Sequence, residues 1–403
     1  MRGGAVAIVG GSIAGCAAAL AAHRCSAGAI AVFERAGKEL RDRGVGIGVH
    51  EARFAELEAA GYVDSAAPWV RLTRRVWTVR DGAAERGRDI GSQPFPFRGY
   101  NWGSLWTELR RRVPDTVDYR TDATVTGVEP DADGVTVQLA DGGSEHFDAV
   151  IGADGYRSVV RTSMFPGLAP AYAGYVGWRG TLDDVPAPGP DGDDAHVVGF
   201  PGGHCMLYVI PGPGGSHRLN WVLYATPPPE FELDLRTPTS LPPGRVASAL
   251  TQYLRSLVAE HFPPYWADRI LGTPPESTFL QPIYDLEVPR YAAGRLLLVG
   301  DAATVARPHT GGGTVKALQD ATALENAGAS GSDWTEIAAA YDADRTAVGT
   351  QVVALGRRLG RAQVEKAPDW AAMHEADLQA WWAEQNQGSD QRSGFGGHAM
   401  NRS

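Results

Sequence analysis

Near its start the chain carries an apolar run, Ala5 to Val9, that ends directly on Gly10-Gly11-Ser12-Ile13-Ala14-Gly15. An Ala-rich stretch of helical length, Ile13 to Arg24, follows, and then a second apolar run, Ala29 to Phe33, closing on Glu34. Strand, glycine turn, helix and strand make a βαβ unit with a right-handed crossover, which commits the chain to a parallel sheet. The turn keeps G-x-G-x-x-G spacing except that Ser12 replaces the middle glycine. Helix N-terminal N–H groups and the helix dipole favour a phosphate there. Glu34, 24 positions after Gly10, can accept hydrogen bonds from ribose hydroxyls. These features predict a dinucleotide held by Gly10, Gly11, Ser12, Ala14, Gly15, Glu34 and the adjacent Arg35.

The same glycines dispose of another reading. Arg2 followed by apolar residues to Ala22 looks like a secretory leader, but Gly10, Gly11 and Gly15 interrupt it where a nucleotide turn needs them. No run of 18 apolar residues occurs elsewhere to span a membrane. A formal net charge of -10 argues against nucleic acid, which needs clustered cations. Cys16, Cys25 and Cys205 show no Cys-x-x-Cys pairing or metal-ligand spacing, so buried thiols in a reducing cytoplasm are expected, with neither disulfides nor a metal.

Two further motifs stand apart in sequence. Asp148-Ala149-Val150-Ile151-Gly152-Ala153-Asp154-Gly155, continued by Arg157, Ser158 and Arg161, is a strand running into a charged turn. It suits either a structural Asp-Gly turn or a ligand contact through Asp154. Gly294 to Ala303 contains a buried strand, Arg295 to Val299, with Asp301 just past its carboxyl end, where ligands meet open α/β sheets. Arg307-Pro308-His309-Thr310-Gly311-Gly312-Gly313 then opens a helix from about Thr314 to Ala327.

Between these motifs the pattern changes. Val135 to Leu139, Met206 to Ile210 and Leu219 to Tyr224 read as antiparallel strands, and the proline-rich Thr226 to Glu232 and Thr237 to Pro243 as surface loops. The expected fold is α/β: a discontinuous Rossmann-like nucleotide domain (1–72, 99–174 and 276–334), a second, antiparallel-sheet substrate domain (73–98 and 175–275), C-terminal helices (335–387) and a disordered tail (388–403). In those helices Trp370, Trp381 and Trp382 are expected to pack or to make dimer contacts.

With all three motifs in order, the chain resembles the group A flavoprotein monooxygenases, the para-hydroxybenzoate hydroxylase-like family, over nearly its whole length. Tyr172 to Gly180 and Arg307-Pro308-His309 with Lys316 resemble the 2,6-dihydroxypyridine 3-hydroxylase branch. Where the wider family has an arginine reaching the FAD pyrophosphate, Trp102 stands before Gly103, Ser104 and Leu105, and is expected to pack near the cofactor. The Trp-x-Trp-x-Ile-Pro segment of flavin halogenases is absent.

The resemblance implies that NADPH or NADH reduces FAD, that O2 adds to form a flavin C4a-hydroperoxide, and that a hydroxyl passes to a small electron-rich aromatic or heteroaromatic ring. It implies cofactor contacts at Gly46, Asp154, Asp301, Pro308, Gly311, Gly312, Gly313 and Thr314. It also calls for a base beside the flavin, for which His50 and His309 are the candidates. Tyr208 and Tyr224, on strands where alternate residues share a face, are expected to orient the ring. The same scaffold could carry out oxidative decarboxylation, epoxidation or Baeyer-Villiger insertion, or serve as a non-catalytic carrier; Asp301 and the glycine turn speak against the carrier. A monomer or homodimer is expected.

Overall fold

The opening run forms as the glycine turn requires. A computed structural model, describing residues 1–37, 45–189, 193–230, 241, 246, 248–331, 333–386 and 393–399, places β1 (Ala5–Val9), α1 (Ile13–Arg24) and β2 (Ala29–Phe33) in a βαβ unit with parallel strands. Gly10 takes φ +100°, and a Cβ on it would lie 2.4 Å from the Ala153 carbonyl oxygen. A Cβ on Gly15 would lie 1.8 Å from the Gly10 carbonyl oxygen. Only glycine fits either position, so helix and strand can approach this closely.

The chain then alternates between two sheets. β3 (Gly46–His50), α2 (Glu51–Ala59), β4 (Trp69–Val79) and β5 (Arg88–Asn101) lead through α3 (Trp102–Arg112) to β6 (Asp118–Arg120), which pairs with β2. A small antiparallel sheet of β7 (Val125–Pro130), β8 (Val135–Leu139) and β9 (Ser144–Phe147) precedes β10 (Ala149–Gly152) and the short helix α4 (Val159–Met164). β11 (Ala171–Leu182), β12 (Asp193–Phe200), β13 (Gly203–Pro211) and β14 (His217–Ala225) form the middle of the larger sheet. Helices α5 (Ser248–His261) and α6 (Pro264–Leu271) cover it, and β15 (Thr278–Asp285) completes it. β16 (Ala292–Ala293) and β17 (Leu296–Leu298) return to the first sheet. Helices α7 (Gly313–Ser330), α8 (Trp334–Gly360) and α9 (Glu375–Gln385) follow, and the ribbon of β18 (Ser393–Gly394) and β19 (Gly397–His398) comes last.

The first sheet has strand order β16-β17-β10-β1-β2-β6, parallel except for β16, and the second β15-β11-β14-β13-β12-β4-β5-β3. The second is antiparallel, as expected, apart from the parallel pair β12–β4. Boundaries drawn at 72/73 and 98/99 fall inside β4 and β5, and the larger sheet takes both strands whole, together with β3 and β15. A hydrogen-bonded ladder satisfies every backbone group along a strand, so a domain border does not cut one partway. Most of the two proline-rich segments lies outside the described residues; Leu241, within the second, bridges to Leu280 of β15.

The tail also departs from expectation. Residues 388–392 and 400–403 lie outside the described residues, but 393–399 form a ribbon rather than a disordered end. Phe395 packs on Phe97 and Phe95 with ring centroids 5.4 and 5.9 Å away, and the Gly396 N–H donates to the Thr310 carbonyl at 2.8 Å. Trp370 is buried, stacks on Trp77 at 4.8 Å and donates from Nε1 to the Gly203 carbonyl, so it is a packing residue. Cys16, Cys25 and Cys205 are buried free thiols.

Buried charges hold the turn after β17. Asp320 on α7, with no exposed surface, accepts from the Gly300 N–H at 2.8 Å, from Lys316 Nζ at 2.7 Å and from Arg345 Nε of α8 at 2.7 Å. Lys316 Nζ also donates to the Gly300 carbonyl. From the other side Arg161 of α4, itself buried, donates to the Ala302 carbonyl at 3.0 Å and the Tyr156 carbonyl at 2.5 Å. Both neighbours of Asp301 are thus fixed by ions that water does not reach.

Replacing Asp320 by Asn leaves Lys316 and Arg345 without their counter-charge. A loss of about 3–5 kcal/mol is expected, the range for a broken buried pair. It should appear as a lower thermal midpoint and as flavin lost on gel filtration; an unchanged midpoint would show that the cluster does not hold the fold.

Candidate functional site

β17, β10 and β1 are adjacent parallel strands, and each runs out at the same edge into one of the three motifs: Asp301, Asp154 and the Gly10 turn. Neighbouring strands lie about 4.8 Å apart, so segments separated by more than a hundred residues meet along one rim. Glu34 ends the next strand, β2. Its carboxylate accepts from the Gly11 N–H at 2.7 Å and the Ala36 N–H at 2.9 Å. The Gly11 carbonyl is held by Trp106 Nε1 at 3.0 Å and the Tyr119 hydroxyl at 2.7 Å. Ser12 caps α1 without a side-chain bond, and Arg35 is exposed.

A cavity of about 470 Å³ opens between this rim and the larger sheet. Asp301, Pro308, Gly311, Gly312, Gly313 and Thr314 line it from the nucleotide side, with Gly46 and Trp102 adjoining. Trp102 therefore stands where it was expected, parallel to Trp106 at 6.5 Å. A side chain on Gly313 would meet nothing within 4 Å, and Gly311 takes φ +63°, so the start of α7 presents bare backbone to open space. Asp301 is open along the cleft but walled round by protein; burial pushes its carboxyl upward, and Lys316 pulls it back.

The opposite wall is one face of the larger sheet. Tyr208 of β13 and Tyr224 of β14 both line the cavity, as strand alternation predicts. His309 lies between them and the glycine turn, 7% exposed, its ring 4.5 Å from that of Tyr224. Its Nε2 is 2.8 Å from the Tyr175 hydroxyl, and its Nδ1 is buried without a partner. Burial, with His204, Arg307 and Arg179 nearby, drives its pKa far below the ordinary range, so the ring is neutral. The Arg307 cation beside Tyr175 attracts the hydroxyl lone pairs, leaving the proton for His309 Nε2. This network assigns the Nδ1–H tautomer, which points a donor rather than a base toward the cavity.

His50 is not at the cavity. It caps α2, its Nδ1 accepting from the Ala52 N–H at 3.1 Å, and its ring stands edge-on to Phe97 at 5.2 Å. Its lone pair is committed to the helix end, which corrects its assignment as the base. Asp154 likewise serves structure: Oδ2 accepts from the Val159 N–H at 2.6 Å at the start of α4, while Oδ1 stays buried without a partner.

Sequence reasoning missed three cavity residues: His204, Arg179 and Arg75. His204 is 4% exposed, and burial takes its pKa down to about 3. Arg179 interrupts an otherwise apolar strand between Trp178 and Gly180, a signal that was available because arginine is rarely placed inside a sheet without a purpose. Arg75 interrupts β4 in the same way.

Residues 246–355 match the family model described as an FAD binding domain. The chain is 31% identical to 2,6-dihydroxypyridine 3-monooxygenase of Paenarthrobacter nicotinovorans over 79% of this chain and 81% of that protein. It is 29% identical to the aurachin C monooxygenase/isomerase of Stigmatella aurantiaca over 88% of each chain. The solved structure of 2,6-dihydroxypyridine-3-hydroxylase from Arthrobacter nicotinovorans superposes with a TM-score of 0.79 at 28% identity, covering 93% of this chain and 97% of that one. Klebsiella pneumoniae HpxO complexed with FAD and uric acid shares the fold with a TM-score of 0.74 at 23% identity, over 95% of this chain and 92% of that one.

Two outcomes follow from the histidines. His50→Ala should cost about 1 kcal/mol through the lost cap and leave turnover unchanged, while His50→Asn, which can cap, restores the stability. His204 and His309 have depressed pKa values when folded, so stability is complete above the unfolded value near ~6.5 and falls as pH drops below it, because only the unfolded chain takes up the protons. Each contributes roughly 1.4 kcal/mol per pH unit in that window. Denaturant unfolding between pH 7.5 and 5.5 should show the slope, reduced in a His204→Asn, His309→Asn protein.

Proposed function

We propose, from the premise that this chain belongs to the group A FAD-dependent monooxygenases, that it hydroxylates a small electron-rich aromatic or heteroaromatic ring. Like the rest of that group it uses FAD, with NAD(P)H as reductant and O2 as the oxygen source. One ring C–H becomes C–OH, the second oxygen atom leaves as water, and NAD(P)H is oxidised.

The residues present suit the dinucleotide. The start of α1 offers free backbone N–H groups to a pyrophosphate, and the Ser12 hydroxyl, unused as a cap, can add a donor. Glu34 has acceptor capacity beyond its two backbone bonds and would take the ribose hydroxyls, as Asp301 would the ribityl chain. Arg35, Ala14 and Asp154 stand nearer the rim than the cavity, and Asp154 would act through α4. Gly46, Pro308, Gly311, Gly312, Gly313 and Thr314 border the space for the isoalloxazine. The positive end of α7 would stabilise negative charge on its reduced ring. Bound there, FAD supplies the two-electron reduction of O2 and the transfer of one oxygen atom.

One observation carries the reading. A single cavity has Asp301 and the glycine start of α7 on one side and a wall of donor-bearing aromatic residues on the other. The chain's part is to hold a small ring against the cofactor and keep bulk water out. The volume suits a one- or two-ring substrate. Ring substrates named for relatives, 2,6-dihydroxypyridine among them, agree with that size.

The purified protein is expected to be yellow, to bleach with NADPH and to recover in air. Among hydroxylated pyridines, phenols and indoles, at least one should accelerate NAD(P)H oxidation and gain one oxygen atom by mass. A flavin-loaded protein that no such ring stimulates, or whose product gains no oxygen, defeats the reading.

A further inference from the structure

A guanidinium inside a sheet is costly unless something negative meets it. Arg179 sits on β11, flanked by Phe279 of β15 and Val222 of β14, and its side chain lines the cavity. Its Nε is shut away from solvent without a hydrogen-bond partner. Asp301 is the one carboxylate among the described lining residues, and its electrostatic neighbours are Lys316, Asp320 and Arg161, not Arg179. Arg179 acts instead on Tyr208, Tyr224 and His309.

A second guanidinium, Arg75, also lines the cavity but is already engaged. Its Nε and Nη2 donate to Gln93 Oε1 at 3.1 and 2.6 Å, and the rings of Trp382 and Phe395 lie 4.2 and 4.7 Å from its centre. The charge with donors to spare is therefore Arg179. The groups around it are donors as well: the His309 Nδ1–H, and the Tyr208 and Tyr224 hydroxyls on strands β13 and β14. Val222 is directly opposite Arg179, and Tyr224, two residues on, faces the same side, within diagonal reach of a long side chain. The ring of Tyr224 lies over Gly177, where a Cβ would come within 3.1 Å of it, so glycine leaves the tyrosine its place.

We infer that the substrate binds as an anion, with its charge on an oxygen that docks on Arg179 among these neutral donors. The inference rests on the ring-hydroxylating function proposed above and narrows its substrate class. The anionic oxygen is either a carboxylate substituent or an ionised ring hydroxyl. In the second case the proton leaves to water before binding, and Arg179 holds the ring in its electron-rich form without a side-chain base. That fits a cavity where His50 is absent and His309 presents N–H.

The test uses flavin-loaded wild-type protein, Arg179→Lys and Arg179→Gln, each at pH 7.5. Dissociation constants are read from perturbation of flavin absorbance, beside NADPH consumption. The probes are 4-hydroxybenzoate against 4-hydroxybenzamide, and 2,6-dihydroxypyridine against 2,6-dimethoxypyridine. In one pair at least the anion should bind roughly 10- to 100-fold more tightly than its neutral partner, the size of a charged hydrogen bond in a dry site. The pair that shows the preference identifies the source of the charge. Arg179→Gln should abolish that preference at unchanged flavin content, and Arg179→Lys should keep part of it. Neutral probes that bind as tightly as anions, or an Arg179→Gln protein that loses both equally, overturn the inference and leave ring hydroxylation standing. If no probe perturbs the flavin or speeds NADPH consumption, ring hydroxylation fails and the inference falls with it.

Discussion

Asp320 carries no exposed surface, yet it binds two cations and a backbone N–H, and the rest of the site is built out from it. The carboxylate fixes Gly300, Lys316 fixes the same residue through its carbonyl, and Arg161 fixes Ala302. Asp301 therefore projects from a turn with little freedom on either side. Such a cluster gives modest net stability, because desolvating three charges offsets most of their attraction. Its value is geometric: a wrong arrangement strands a charge in a dry interior, so alternatives are excluded. The second motif finds its meaning here. Asp154 and Ser158 cap α4, which sets Arg161 at the turn after the neighbouring strand.

The cavity wall obeys a different constraint. Every side chain that faces it from β11, β13 and β14 is fixed by strand register, so a single one-residue slip would turn Arg179, Tyr208 and Tyr224 away together. Burial also decides what these groups can do. It keeps the tyrosine hydroxyls protonated and the two histidines neutral, so that at neutral pH the full positive charge among these groups is arginine's. A wall of this kind discriminates by charge at the moment of binding, in a medium where charge interactions are strong.

What the sequence made legible was local or periodic. The βαβ start announces itself through glycines that only close packing explains, Asp301 through its place after an apolar run, and Tyr208 and Tyr224 through alternation. His50 failed because a histidine that ends a strand and begins a helix looks identical whether it faces a ligand or accepts from the N–H two residues on. The protonation of His309 depends on Tyr175 and Arg307, and the fixing of Asp301 on Asp320 and Arg345, partners with no local spacing to betray them. Arg179 was visible as a charge in an apolar strand, but its importance comes from an absence of partners that only three dimensions display. The tail, glycine-rich and polar, gave no sign that Phe395 would find Phe95 and Phe97 across the fold.

His309 joins these two systems. It belongs to the segment that leads into the glycine start of α7, on the nucleotide side, yet its Nε2 is bound to Tyr175 of β11, two residues before Gly177 and four before Arg179. Arg307 strengthens the link, reaching Asp285 at the end of β15. The backbone that borders the isoalloxazine space and the strand that carries the substrate-side cation are thus one braced piece. Transfer of an oxygen atom between two bound rings needs their separation held to within a fraction of an ångström, and two independently mobile walls would not hold it. Placing a neutral, fully hydrogen-bonded histidine at the seam achieves that registration without adding a second charge to compete with Arg179.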